Sequence, residues 1–110
     1  MSEDPAVIPE VLHEATKIFL EELRGHGAFF RSIESEPDLA KHANAIAEKF
    51  HLIRGGAGFL KLTELKNIAS YGEKLFRGGN PDLNTAKEKL AEASRVIDAE
   101  IARLSDILSS

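Results

Sequence analysis

The chain has 110 residues, 43% of them hydrophobic and 29% charged, with a formal net charge of -4 and no cysteine. That length suits one domain with a modest core, and an acidic balance without a dense Lys/Arg block argues against nucleic acid as the main partner. Disulfides and thiolate metal sites are excluded; no run approaches the roughly 18 apolar residues of a membrane span, and Met1-Ser2-Glu3-Asp4-Pro5 is not a signal peptide, so a cytoplasmic protein is the default expectation.

Helical periodicity dominates and no strand alternation is convincing. Pro5 and Pro9 confine the first helix to about Pro9 onward, with proline tolerated in the first turn. Val11, Leu12, Ala15, Phe19, Leu23, Phe30 and Ile33 then recur at helical spacing. Gly25 and Gly27 interrupt the propensity but not the register, which leaves room for a bend there. Ser35-Glu36-Pro37-Asp38 is the first break, with Pro37 or Asp38 opening a second helix that carries Leu39, Ala43, Ile46, Phe50, Ile53, Ala57 and Leu60. Lys61-Leu62-Thr63 reads as a tight connection with Thr63 as the N-cap. The third helix runs over Leu65, Ile68, Ala69, Gly72, Leu75 and Phe76 and stops at Gly78-Gly79-Asn80-Pro81, the strongest breaker in the chain. The fourth begins near Asn84 or Thr85 and carries Ala86, Leu90, Ala93, Val96, Ile97, Ile101, Leu104 and Leu108. Four helices with short loops predict an all-α, antiparallel up-down four-helix bundle over residues 1–110.

The second helix holds the chemistry. Gly55, Gly56 and Gly58 crowd into four residues, although each glycine costs about 1 kcal/mol relative to alanine in a helix interior. At about 100° per residue, Phe50, Ile53, Ala57 and Leu60 share the core side with Ile46. His51, Arg54, Gly55 and Gly58 form a second stripe about a third of a turn away. That stripe is an exposed imidazole, a cation one turn on, and almost no side-chain bulk.

Leu62 lies midway between His51 and Glu73 in sequence. In an antiparallel hairpin equal offsets mean equal heights, here about 16 Å from the turn at 1.5 Å per residue. Glu73 therefore reaches one imidazole nitrogen of His51. A carboxylate there selects one tautomer, holds the ring and raises the basicity of the other nitrogen. Arg54 is placed to receive the oxygens of a phosphoryl group. Nucleophile, orienting base and charge stabiliser are the roles that phosphoryl transfer to histidine needs. The sequence offers no Mg²⁺ site and no phosphate-cradling loop, so no cofactor of its own is expected and the partner supplies the metal.

His51-x-x-Arg54-Gly55-x-x-Gly58-Phe59-Leu60 resembles the phosphoacceptor motif of histidine-containing phosphotransfer (HPt) domains, in the form found at the N-terminus of chemotaxis-type kinases. Glu73-Lys74-Leu75-Phe76-Arg77-Gly78 resembles the family's next block, and Ile18-Phe19-Leu20-Glu21-Glu22-Leu23 its opening helix. Arg54 stands where lysine is usual, Lys61 where glycine is frequent, and Ser70 where chemotaxis-type members often have a second histidine. The resemblance implies a helical bundle whose histidine carries phosphate between a sensor or hybrid histidine kinase, or a receiver domain, and another response-regulator receiver domain. It implies a phosphocarrier without catalytic turnover of its own.

Each residue also has a plainer reading. Arg54 can be a surface charge, and Glu73 can pair along its own helix with Lys66 or Arg77. Gly56, away from the His51 stripe, suits close helix packing. Leu52 and Phe59 fall on a side that two neighbours leave partly open, as boundary core or as an apolar rim for a docking partner beside Gly55 and Gly58. His13, His26 and His42 read as solvated or boundary residues. Two other functions compete. Glu10-x-x-His13 and Glu48-x-x-His51 share the spacing of di-metal carboxylate bundles, but the third and fourth helices offer no inward acids to complete that site. A bundle that binds receivers or kinases without carrying phosphate is the other alternative. The expectation is a cytoplasmic monomer, binding neither nucleic acid nor membrane, with a start at Met1 that leans towards a free-standing shuttle rather than part of a larger kinase.

Overall fold

The computed structural model describes residues 8–78 and 80–109; the expectations for Met1–Pro5 and for Gly79 lie outside them. A 3₁₀ turn over Glu10–Leu12 leads into α1 (His13–Arg31), followed by α2 (Glu36–Phe59), α3 (Thr63–Gly78) and α4 (Leu83–Ser109). Among the described residues there is no strand. The helices form an antiparallel up-down four-helix bundle. α2 packs mainly on α3, α1 on α4, and α3 on α4. No described helix is long and apolar enough to cross a membrane.

Local chemistry places the ends. α2 starts at Glu36, earlier than the expected Pro37 or Asp38, because Ser35 is the N-cap: its Oγ accepts from the Asp38 N–H at 3.3 Å. The Asp38 carboxylate accepts in turn from the Glu34 N–H, so two otherwise orphaned donors are satisfied. α2 ends in a Schellman motif. The Leu62 N–H donates to the Ala57 carbonyl at 2.8 Å and the Lys61 N–H to Gly58 at 3.2 Å, which puts Lys61 in the left-handed region at φ 60. Thr63 is the first residue of α3 rather than its cap. α4 also starts earlier than expected. Asp82 caps it by accepting from the Thr85 N–H at 2.8 Å, leaving Asn84 and Thr85 inside the first turn. α1 runs unbroken through Gly25 and Gly27.

The core is one cluster drawn from all four helices, centred on Leu23, Phe30, Ile46, Phe50, Ile53, Leu65, Ile97 and Leu104. A column of aromatic rings crosses it: Phe30 stacks on Phe50 at 4.5 Å between centroids, and Phe50 on Phe76 at 5.9 Å. Phe50 reaches α3 because residue 72 is glycine. A Cβ there would lie 2.7 Å from the Phe50 ring. Phe50 and Gly72 immediately precede His51 and Glu73, so the packing that joins the helices also sets the height of the polar pair.

Candidate functional site

His51 stands on the outer edge of α2, its side chain 48% exposed, and faces Glu73 of α3, whose side chain is 15% exposed. His51 Nδ1 lies 3.0 Å from Glu73 Oε2. Arg54 contributes two contacts: Nη2 is 3.1 Å from His51 Nδ1, and Nε is 3.3 Å from Glu73 Oε1. One ring nitrogen cannot both donate to the carboxylate and accept from the guanidinium. A carboxylate is an acceptor only, and two lone pairs facing each other at 3.0 Å would repel. Nδ1 therefore carries the proton and donates to Glu73, and Arg54 acts on the ring by charge. In that neutral tautomer the Nε2 lone pair is free, and Nε2 has no hydrogen-bond partner among the described residues.

Arg77 enters the same cluster. Its Nη2 is 3.2 Å from Glu73 Oε2 and 3.7 Å from Glu48 Oε2. On the sequence, Arg77 was only one alternative partner of Glu73, and Glu48 figured only in the di-metal reading. Both signals were present. Arg77 is one turn beyond Glu73, and Glu48 and Arg77 stand at nearly equal offsets from Leu62. The Glu48–Arg77 pair is solvated and contributes well under 1 kcal/mol as a rule, whereas the Glu73 carboxylate is 15% exposed and its three partners keep a largely buried charge from standing alone.

The glycines divide by environment. A Cβ at Gly55 would meet nothing within 4 Å, and one at Gly58 only the Lys66 side chain at 3.8 Å. A Cβ at Gly56 would fall 2.3 Å from the Phe19 ring, so Gly56 is where α1 closes on α2. Leu52 and Phe59 are 45% and 64% exposed. They are surface residues rather than boundary core.

The other histidines separate as well. His13 is half-buried, its Nε2 3.0 Å from the Ile8 carbonyl oxygen. His42 packs edge-on against Phe29. His26 departs from its expected surface setting: it is 7% exposed, and its Nε2 is buried with no hydrogen-bond partner. Burial, and secondarily the charge of Lys49, holds its pKa below the ordinary histidine value. No three His, Asp or Glu side chains among the described residues are grouped to hold a metal ion. The di-metal reading needs His51 turned inward, and it faces out. Neither a family model nor a curated protein nor a solved structure matches this chain.

Proposed function

We propose that the protein is a histidine phosphocarrier of a two-component phosphorelay, with His51 as phosphoacceptor. The observation that carries this reading is the His51 Nδ1–Glu73 hydrogen bond of 3.0 Å on a half-exposed ring. It leaves Nε2 as the free nucleophile. The resemblance of the His51–Leu60 segment to the HPt motif supports the same role.

In the transfer, the Nε2 lone pair attacks the phosphorus of a donor aspartyl phosphate or nucleotide. The N–P bond forms as the bond to the departing carboxylate or nucleotide oxygen breaks. The ring becomes cationic, with Nδ1–H retained. Glu73 offsets that charge, and Arg54, whose guanidinium rests on the Nδ1–Glu73 side of the ring, adds positive charge beside the phosphoryl group. Transfer onward to a receiver aspartate is the same step reversed. Mg²⁺ belongs to the kinase or receiver partner in this scheme. Gly55 and Gly58 leave the backbone beside His51 open to that partner, and Leu52 and Phe59 offer it apolar contact.

The test is incubation with kinase catalytic domains and with phosphorylated receiver domains. Wild type is expected to take up acid-labile phosphate and His51→Gln none. Phosphate that persists on His51→Gln, or a wild type that no donor labels, overturns the proposal.

A further inference from the structure

We infer that Arg77 is a positioning residue for the His51 ring, acting through Glu73, and that Glu48 anchors it. The inference rests on the His51–Glu73 pair being the working pair of the site. Glu73 has two oxygens and three suitors. Oε1 lies 3.3 Å from Arg54 Nε, while Oε2 lies 3.0 Å from His51 Nδ1 and 3.2 Å from Arg77 Nη2. A guanidinium prefers a carboxylate in bidentate fashion, through two parallel N–H donors. Arg54 already presents Nε to Oε1, and its Nη2 stands 3.1 Å from the ring nitrogen that Oε2 holds.

Without a competing pull, rotation of the Glu73 carboxylate brings Oε2 onto Arg54 Nη2. The fork closes, and Nδ1 loses its acceptor. Arg77 supplies the competing pull. It approaches from one turn further along α3 and holds Oε2 away from the Arg54 fork, on the histidine. Arg77 itself is tethered across the helix pair by Glu48, at 3.7 Å, which stands one turn before His51 on α2. The four charged side chains thus bracket the ring from both ends, Arg54 after it and the Glu48–Arg77 pair before it. Arg77 acts on which nitrogen carries the proton, and so on whether the outward nitrogen is a nucleophile.

The readout is the tautomer of His51 in the full chain, from ¹⁵N-histidine spectra at about pH 8.5, where an ordinary imidazole is neutral. The His51 signals are assigned by their loss in His51→Gln. Wild type is expected to be mainly Nδ1–H. In Arg77→Ala the ratio of Nδ1–H to Nε2–H is expected to fall about fivefold, the size of one modest hydrogen bond. Arg77→Lys restores part of the ratio, because an ammonium keeps the charge but not the planar fork. Glu48→Gln lowers it less than Arg77→Ala does.

Helix content stays at the wild-type value in all three variants, since Glu73 keeps His51 and Arg54 as partners when Arg77 is changed and the exposed Glu48–Arg77 pair adds little stability. An unchanged ratio in Arg77→Ala, or a wild-type ring that is mainly Nε2–H, overturns the inference. Should the ratio fall as expected while no donor phosphorylates even the wild type, the positioning role stands and the phosphocarrier reading fails.

Discussion

Lys61 carries a strain that its position explains. It closes α2 at φ 60, where an L-residue costs about 1–2 kcal/mol and glycine costs nothing sterically. Glycine gives back part of that gain as extra freedom in the unfolded chain, about 0.5–1 kcal/mol. Lys61→Gly is therefore expected to stabilise the protein by about 0.5–1 kcal/mol, read as a higher urea midpoint at unchanged slope. A lower midpoint would mean that the lysine side chain makes a contact worth more than the strain. The resemblance had marked this position as one where glycine is frequent, and the Schellman geometry supplies the reason. At the same scale, His51, Arg54 and Glu73 were legible because helical spacing and hairpin symmetry are both geometric. His26 was misread because its type outweighed its place. It follows Leu23 by three residues and precedes Phe30 by four, both fully buried. That spacing is a core signal, overridden by the rarity of an unpartnered imidazole inside a protein.

The three glycines of α2 look alike in sequence, and α1 and α3 make them different. Gly55→Ala enters open space, so only the helix-propensity gain applies, about 0.5–1 kcal/mol of added stability. Gly56→Ala drives a methyl into the Phe19 ring and forces that ring or α1 to shift, an overpacking cost of about 1–3 kcal/mol. Thermal midpoints of the two variants should move in opposite directions. Equal shifts would show that α1 does not seat on Gly56. Gly58 supplies the functional contrast, because a side chain there has only Lys66 beside it. Gly58→Gln is expected to fold with helix content intact and to lose phosphotransfer by blocking a partner's approach. Full transfer in that variant would assign the glycine to folding alone. Helix number, order and facing were readable from periodicity, and the starts were not. Ser35 lost to Pro37, two residues on, as the visible marker of α2, and Asp82-Leu83-Asn84-Thr85 offers several capping residues in a row. Only the hydrogen bond from the Thr85 N–H selects Asp82.

For the whole molecule, pH acts on folding through a buried histidine and two helix-capping aspartates. The pKa of His26 is lowered from 6.5 by burial and then by Lys49. The unfolded chain therefore binds a proton that the folded chain refuses, over the range from 6.5 down to the folded value. Stability present above that range is lost as pH falls through it. Asp38 and Asp82 behave alike at lower pH. The Glu34 N–H chiefly holds Asp38 below 3.8, and the Thr85 N–H chiefly holds Asp82 there. Both caps contribute above 3.8 and are lost as pH falls through their folded values. The acid response of the bundle should come in two steps, a histidine step below neutrality and a carboxylate step in strong acid. His26→Leu replaces the unpartnered ring with an apolar side chain and removes the first step only. Urea midpoints measured from about pH 7.5 to about pH 3 should fall in two stages for wild type and in one for the variant. A variant that keeps the wild-type fall between neutrality and about pH 5 would place the proton elsewhere. The same variant should still accept phosphate at wild-type level, because His26 is inside the core and the His51 ring is on the α2–α3 edge. A loss of transfer alongside the loss of the first acid step would tie core packing at His26 to the site.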